Sequence, residues 1–91
     1  MINDDQQANS LDLTKIREDI DSVDQQLQQL INRRAKLAEA VAKAKFASEE
    51  NPLFYRPERE AQVLRNVMER NEGPLSDTTM ARLFREIMSA C

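Results

Sequence analysis

An uninterrupted run from Leu13 to Lys45 contains neither Gly nor Pro and repeats apolar residues at helical spacing. One stripe takes Leu13, Ile16, Ile20, Val23, Leu27, Leu30, Arg34, Leu37, Val41 and Ala44, stepping by three and four in turn, as an apolar seam on a long helix does. A second stripe shares some of those positions and takes Leu13, Arg17, Ile20, Asp24, Leu27, Ile31, Arg34, Ala38, Val41 and Lys45. Its apolar residues are interrupted by a cation near each end, another in the middle, and one acid. A greasy face with positive charge placed along it asks for an anion.

A helix of this span measures about 50 Å, whereas a compact globule of this chain length has a radius of gyration of about 12 Å. The helix overhangs anything its own chain can fold against it. No other apolar surface in the sequence can cover the seam, so the pattern predicts a homodimer with two such helices side by side.

The rest of the chain fits that architecture. With 91 residues there is one domain at most, and a domain so small buries roughly 60 to 65% of the surface its unfolded chain exposes, a deficit that association relieves. Charged residues make up 32% and aromatics 4%, with one Gly and no Trp, the profile of an all-α bundle. The net charge of -3, with Lys and Arg interspersed among acids, argues against nucleic acid as a partner. The single cysteine, Cys91, excludes an internal disulfide, and the lack of His removes His-containing zinc sites and His-based triads. The opening residues MINDDQQANS lack the basic and apolar segments of a secretory signal, and no window approaches 18 apolar residues. The reading is cytoplasmic, with no membrane partner.

Punctuation residues divide the chain into one long helix and two shorter ones. Residues 1–10 are polar and read as a frayed N-terminus ahead of a helical domain over 11–91. Asn9 or Ser10 caps the first helix, with Asp12 in its opening turn, and the helix runs to about Ala47, where Ser48 to Pro52 breaks it. Leu53 to Arg56 forms an extended connector, Arg56 being pushed out of helical geometry by the proline after it. Pro57 suits the first position of a second helix, with Glu58 and Glu60 near its positive end. That helix is expected to bury Val63, Leu64, Val67 and Met68 and to end near Asn71, with Gly73 and Pro74 as the stop. Ser76 caps a third helix with an apolar face of Met80, Leu83, Phe84, Ile87 and Met88. No cap or turn signal appears by Cys91, and the domain reads as cropped there.

Among the charged residues Arg34 stands out, since it belongs to both stripes and faces the core on any rotation of the helix. Arg is almost never fully buried without a partner, and Asp24 is about 15 Å away along the same helix, so a ligand is favoured over a structural pair within the chain. Other cations leave the bland alternative open. Arg17 and Lys45 at the stripe edges can snorkel to water, Glu60 can be a plain helix-start acid, and Arg56 and Arg59 can be solvated charges.

Arg34 and Lys45 lie about 16 Å apart along the axis, close to three turns, and so point the same way. Arg17 is about 25 Å from Arg34 on its own helix. In an antiparallel dimer crossing near residue 28, the partner's Arg17 reaches the space between Arg34 and Lys45, giving two symmetric pockets each built by both chains. Three fixed cations and a carboxylate can hold a dianionic small molecule and stabilise charge that develops as it reacts. A unimolecular rearrangement needs no more than that, and no cofactor. A regulatory pocket is the other use.

The chain resembles the all-helical chorismate mutases, most closely the N-terminal mutase domain of the bacterial bifunctional chorismate mutase/prephenate dehydratases. The segments that carry the likeness are IREDIDSVDQQLQQLINRRAKLAEAVAKAK (Ile16 to Lys45), FYRPERE (Phe54 to Glu60) with the AQVL that follows, and ARLFREIMS (Ala81 to Ser89). The resemblance implies an intertwined dimer of three-helix chains acting on chorismate in aromatic amino acid biosynthesis. In it, Arg34 clamps one substrate carboxylate together with Arg17 from the partner chain, and Lys45 binds a carboxylate and the breaking ether oxygen. Glu60 accepts from the ring hydroxyl, Arg59 supports the site, and Arg56, where many relatives have an acid, offers its backbone. Chorismate held in its compact diaxial form then passes to prephenate without a covalent intermediate. In relatives a Ser near the position of Cys91 touches the substrate, and a Gln or Glu about one turn further on meets the ether oxygen. A chain ending at Cys91 is expected to lose about a hundredfold or more in rate. An isochorismate pyruvate-lyase of the same fold is the alternative enzyme, disfavoured by Glu60, and a non-catalytic dimerisation or regulatory module is the alternative from another class.

Overall fold

The computed structural model describes residues 4–48 and 56–91, and among them the backbone is helical with no strand. Three helices follow in order: α1 (Asp4–Ser48), α2 (Pro57–Arg70) and α3 (Asp77–Ala90). Of the extended connector expected over Leu53 to Arg56, residues 53–55 lie outside the described residues, as do the side chains of residues 4–11 and 48, while Arg56 is non-helical with φ -127° and ψ 86°. Among the described residues no helix is long and apolar enough to cross a membrane. The chain divides into two units, Met1–Asn32 and Arg33–Cys91.

The first unit is the N-terminal part of α1. The boundary expected near Ser10 does not stop the helix, which begins at Asp4. Nothing in that segment breaks a helix: it holds neither Gly nor Pro, and its Gln and Ala are good helix formers. Along this part of α1 the seam residues stay about half exposed, from 50% at Val23 and Leu27 to 58% at Leu30. On the surface Lys15 Nζ meets Asp19 Oδ1 at 2.9 Å, one turn away, and the Asp19 carboxylate raises the Lys15 pKa above its ordinary value.

In the second unit α2 and α3 pack on each other. Its most deeply buried residues are Val67 of α2 and Ala81 of α3, 2% and 3% exposed. Val63, Leu64, Met80, Phe84, Ile87 and Met88 are half-buried around them. Two expected core residues are not: Met68 is 37% and Leu83 46% exposed. Both lie on faces of their helices that this chain leaves uncovered. Ala81, which the apolar pattern passed over, is buried instead, a small side chain suiting a closely packed position.

Local chemistry sets the helix ends. Pro57 opens α2, and the Glu60 N–H donates to the Arg56 carbonyl at 3.0 Å to close its first turn. The helix stops at Asn71, which turns to extended geometry. Its side-chain Nδ2 donates to the Leu75 carbonyl and to Asp77 Oδ1, both at 2.8 Å, tying the turn to the start of α3. Gly73 adopts a positive φ of 79°, which an L side chain rarely tolerates, and a Cβ there would meet nothing within 4 Å. As expected, Ser76 caps α3, its Oγ accepting from the Thr79 N–H at 3.1 Å.

Candidate functional site

Within the second unit α1, α2 and α3 all contribute to one open cleft of about 510 Å³, in the size range of small-molecule sites. Helical periodicity brings in α1: Arg34 and Lys45, close to three turns apart, both line the cleft and are both half-buried. The start of α2 supplies Arg56, Arg59 and Glu60. Because Pro57 fixes where that helix begins, Arg59 and Glu60 fall in or beside its first turn, where the unpaired N–H groups favour an anion nearby. Val63 of α2, Met88 of α3 and Cys91 at the cap of α3 add to the apolar lining that Leu37, Ala38, Val41 and Ala42 of α1 provide.

Arg34 is held by the end of α3. Its Nη1 donates to the Cys91 carbonyl at 2.8 Å and approaches Cys91 Sγ at 3.8 Å. The thiol in turn donates to the Ile87 carbonyl at 3.1 Å. These hydrogen bonds of Arg34 therefore go to the main-chain oxygen and the sulfur of Cys91. A guanidinium has five N–H donors in a planar fork, and bonds made from one terminal nitrogen leave capacity for an anion. Arg59, more exposed, donates from Nη1 to Gln62 Oε1 at 3.2 Å along its own helix.

Among the described residues the cleft gathers Arg34, Lys45, Arg56 and Arg59 with one carboxylate, Glu60. Such an arrangement attracts a small anion with more than one negative group, and Glu60 adds an acceptor for a hydroxyl. Preorganised cations around a desolvated ligand also stabilise charge that builds up along a bond being broken. Among the described residues no group of His, Cys, Asp and Glu could hold a metal ion.

Of the site residues expected from sequence, Arg34, Lys45, Arg56, Arg59 and Glu60 come together here. Arg17 belongs to the other unit and is exposed. Sequence reasoning missed the Arg34 to Cys91 hydrogen bond, a contact between residues remote in the chain that no local pattern signals. It also missed the Arg59 to Gln62 bond, for which one-turn spacing of a donor and an acceptor was the available signal. Val63 and Met88 were read as core residues, yet they also line the cleft.

Comparison with known proteins places this geometry in context. Residues 16–91 match the family model for chorismate mutase type II. The chain is 51% identical over 88 residues to a bifunctional chorismate mutase/prephenate dehydratase of Stutzerimonas stutzeri, covering 93% of this chain and 24% of that protein. It is 51% identical over 82 residues to the bifunctional chorismate mutase/prephenate dehydratase of Pseudomonas aeruginosa, covering 87% of this chain and 22% of the relative. The chain therefore spans about a quarter of the length of these curated relatives. Among solved structures, a chorismate mutase from Thermus thermophilus superposes with a TM-score of 0.79 at 28% identity, covering 86% of this chain and 95% of the other.

Proposed function

The chain belongs to the chorismate mutase type II family, and from that premise we propose that it rearranges chorismate to prephenate, as a cytoplasmic homodimer, in aromatic amino acid biosynthesis. The observation that carries this reading is the cleft itself, which collects Arg34 and Lys45 of α1 with Arg59 and Glu60 of α2. Chorismate is a dianion, and its rearrangement breaks one C–O bond and forms one C–C bond within a single molecule. No proton, metal or covalent intermediate enters the balance. What the protein supplies is a compact substrate conformation and fixed charge near the oxygen on which negative charge accumulates.

In this reading Arg34 binds one substrate carboxylate, and its bond to Cys91 holds the guanidinium in place before substrate arrives. Lys45 binds carboxylate and the ether oxygen, and so acts on the charge that grows in the transition state. Glu60 accepts the hydrogen bond of the ring hydroxyl and fixes which way round the ring lies. Arg59 adds positive potential, and Arg56, at the N-cap of α2, presents its main chain to the cleft. Arg17 of a second copy completes the site.

The support for a second copy is the seam of α1. Apolar side chains from Leu13 to Leu30 repeat at helical spacing, and each is about half exposed in a single chain. Covering the exposed half of such side chains is worth about 1 kcal/mol apiece, and an identical helix offers the matching surface. A single-chain mass by sedimentation at micromolar concentration would overturn this part of the reading.

The catalytic part is tested by supplying purified protein with chorismate, and separately with isochorismate, while following prephenate, salicylate and pyruvate. Prephenate from chorismate, with no salicylate or pyruvate from isochorismate, is the expected result. Salicylate plus pyruvate would reassign the chain to a lyase. Absence of turnover on both, in a protein that still forms its dimer, would leave an assembly module.

A further inference from the structure

Arg56 is poorly suited to the place it holds in the helix. It is the N-cap of α2, and its side chain makes no capping hydrogen bond. Residues that serve well there carry a short side-chain oxygen that accepts from first-turn N–H groups, whereas a guanidinium has five donors and no acceptor. A fixed positive charge is also disfavoured at the N-terminal pole of a helix. Both effects work against α2.

The surrounding charge adds to the mismatch. Arg56 is half-buried and lines the cleft together with Arg34, Lys45 and Arg59. Among the described residues it is one of four cations on a single small cavity, in a chain whose net charge is -3. Like charges brought together under partial cover repel, and an anion entering the cleft relieves that repulsion. Local rules broken with no gain for the fold point to a gain in binding. In the catalytic reading Arg34 and Lys45 hold the substrate and Arg56 offers its main chain, for which a charged side chain is not needed.

We propose that the Arg56 side chain is a specificity-determining residue that selects ligands of the cleft by charge number, drawing in dianions ahead of monoanions of similar shape. The inference rests on the cleft being the substrate site, and it concerns capture, not the chemical step. A charge at the start of α2 acts on the total charge of the ligand, which the rearrangement leaves unchanged, so it contributes equally to ground state and transition state. Its effect therefore falls on kcat/KM and leaves kcat alone. It is also weakened by salt.

Benzoate and isophthalate share one ring and carry one and two carboxylates, so comparing them isolates charge number. The wild-type protein, Arg56→Gln, Arg56→Lys and Arg56→Asp are titrated with each, and the Kd is read from proton NMR shifts. Ionic strengths of about 0.02 M and about 0.5 M make the screening length longer and shorter, respectively, than a small-molecule cleft. Chorismate kinetics are followed under the same two conditions. Sedimentation and circular dichroism establish that each variant keeps its fold and assembly.

At low salt Arg56→Gln is expected to raise the Kd of isophthalate on the order of fivefold and that of benzoate about twofold. The value of kcat/KM for chorismate falls by about the same fivefold, with kcat within about twofold of wild type. Arg56→Asp inverts the charge and raises the isophthalate Kd on the order of twentyfold. Arg56→Lys stays within about twofold of wild type, because charge is read and not shape. At high salt all these differences shrink below about twofold. Arg56→Asp also supplies the cap that α2 lacks, so its melting temperature rises by about 4 to 8 °C while its binding weakens, an opposition that a residue serving only the fold would not show.

Equal losses for the two probes, losses that persist at high salt, failure of Arg56→Lys to keep binding, or a drop in kcat overturns the inference. So does a wild type that does not favour isophthalate over benzoate. Should Arg56→Asp fail to fold, Arg56→Gln decides by the same ratios. Failure to turn over chorismate would overturn the proposed function instead, and the two probes would then judge Arg56 on binding alone.

Discussion

The two units of this chain use the same kind of helix differently. In Met1–Asn32 the helix carries a row of large apolar side chains that stay half exposed, and only a surface ion pair, Lys15 with Asp19, is formed there among the described side chains. In Arg33–Cys91 the continuing helix joins α2 and α3 around a cleft, and its Arg34 is anchored to Cys91. One unit has apolar surface without a cover, and the other has charge with a cavity to act in. The contrast teaches that stickiness and chemistry are divided along the chain, so substitutions in the two units should fail in different ways.

The largest effect is expected in the seam. Leu27→Asp places a charge where apolar contact with a second copy is expected, twice over in a symmetric dimer. It should weaken association by about 10²-fold or more, since each copy loses about 1 kcal/mol of apolar burial and the added carboxylate must also be desolvated. Sedimentation measures the change directly. An isolated helix is marginal in water, so the helical circular dichroism signal should fall with the dimer. If association is unchanged, the first unit is not the adhesive one.

Lys45→Ala sharpens the comparison from the other side. Loss of one electrostatic donor commonly costs about 10² to 10³ in kcat, so chorismate turnover should drop by that order while the sedimentation profile stays that of wild type. Were dimer and activity to fall together, the division of labour between the units would be wrong.

Smaller still is the effect of Ser76→Ala, which removes the cap on the Thr79 N–H. It should cost about 1 kcal/mol, lowering the melting temperature by about 4 to 8 °C. Activity per folded molecule at 25 °C should be unchanged, because Ser76 does not line the cleft.

The smallest effect belongs to the first unit's surface. Asp19 raises the Lys15 pKa, so whatever this pair contributes is present below the ordinary lysine pKa of 10.5 and is lost as pH climbs through the raised value. Asp19→Asn should therefore leave thermal stability unchanged within error at pH 7, and any difference from wild type should vanish in strongly alkaline solution.

How much of this was legible beforehand depended on the range of the interaction. The starts of α2 and α3 were readable because Pro57 and Ser76 act within one turn of themselves. The shared direction of Arg34 and Lys45 was readable because periodicity alone fixes it. The convergence of Arg56, Arg59 and Glu60 on the same cleft was not a matter of period, and only the likeness to the helical mutases suggested it. The bond from Arg34 to Cys91 joins residues far apart in the chain and had no local signature. Met68 and Leu83 show a further limit: an apolar pattern marks side chains that prefer cover, without saying that their own chain provides it. The early start of α1 at Asp4 has a simpler cause, since a good capping residue such as Ser10 permits a helix to begin but does not compel it.

The connection from α2 to α3 has a consequence of handedness. At Gly73 there is open space where a side chain would go, yet the backbone sits at a dihedral angle that an L-residue resists. The demand is one of chirality and not of volume. A residue of the opposite hand prefers such a positive angle, whereas ordinary L-alanine, despite having room, would destabilise the turn.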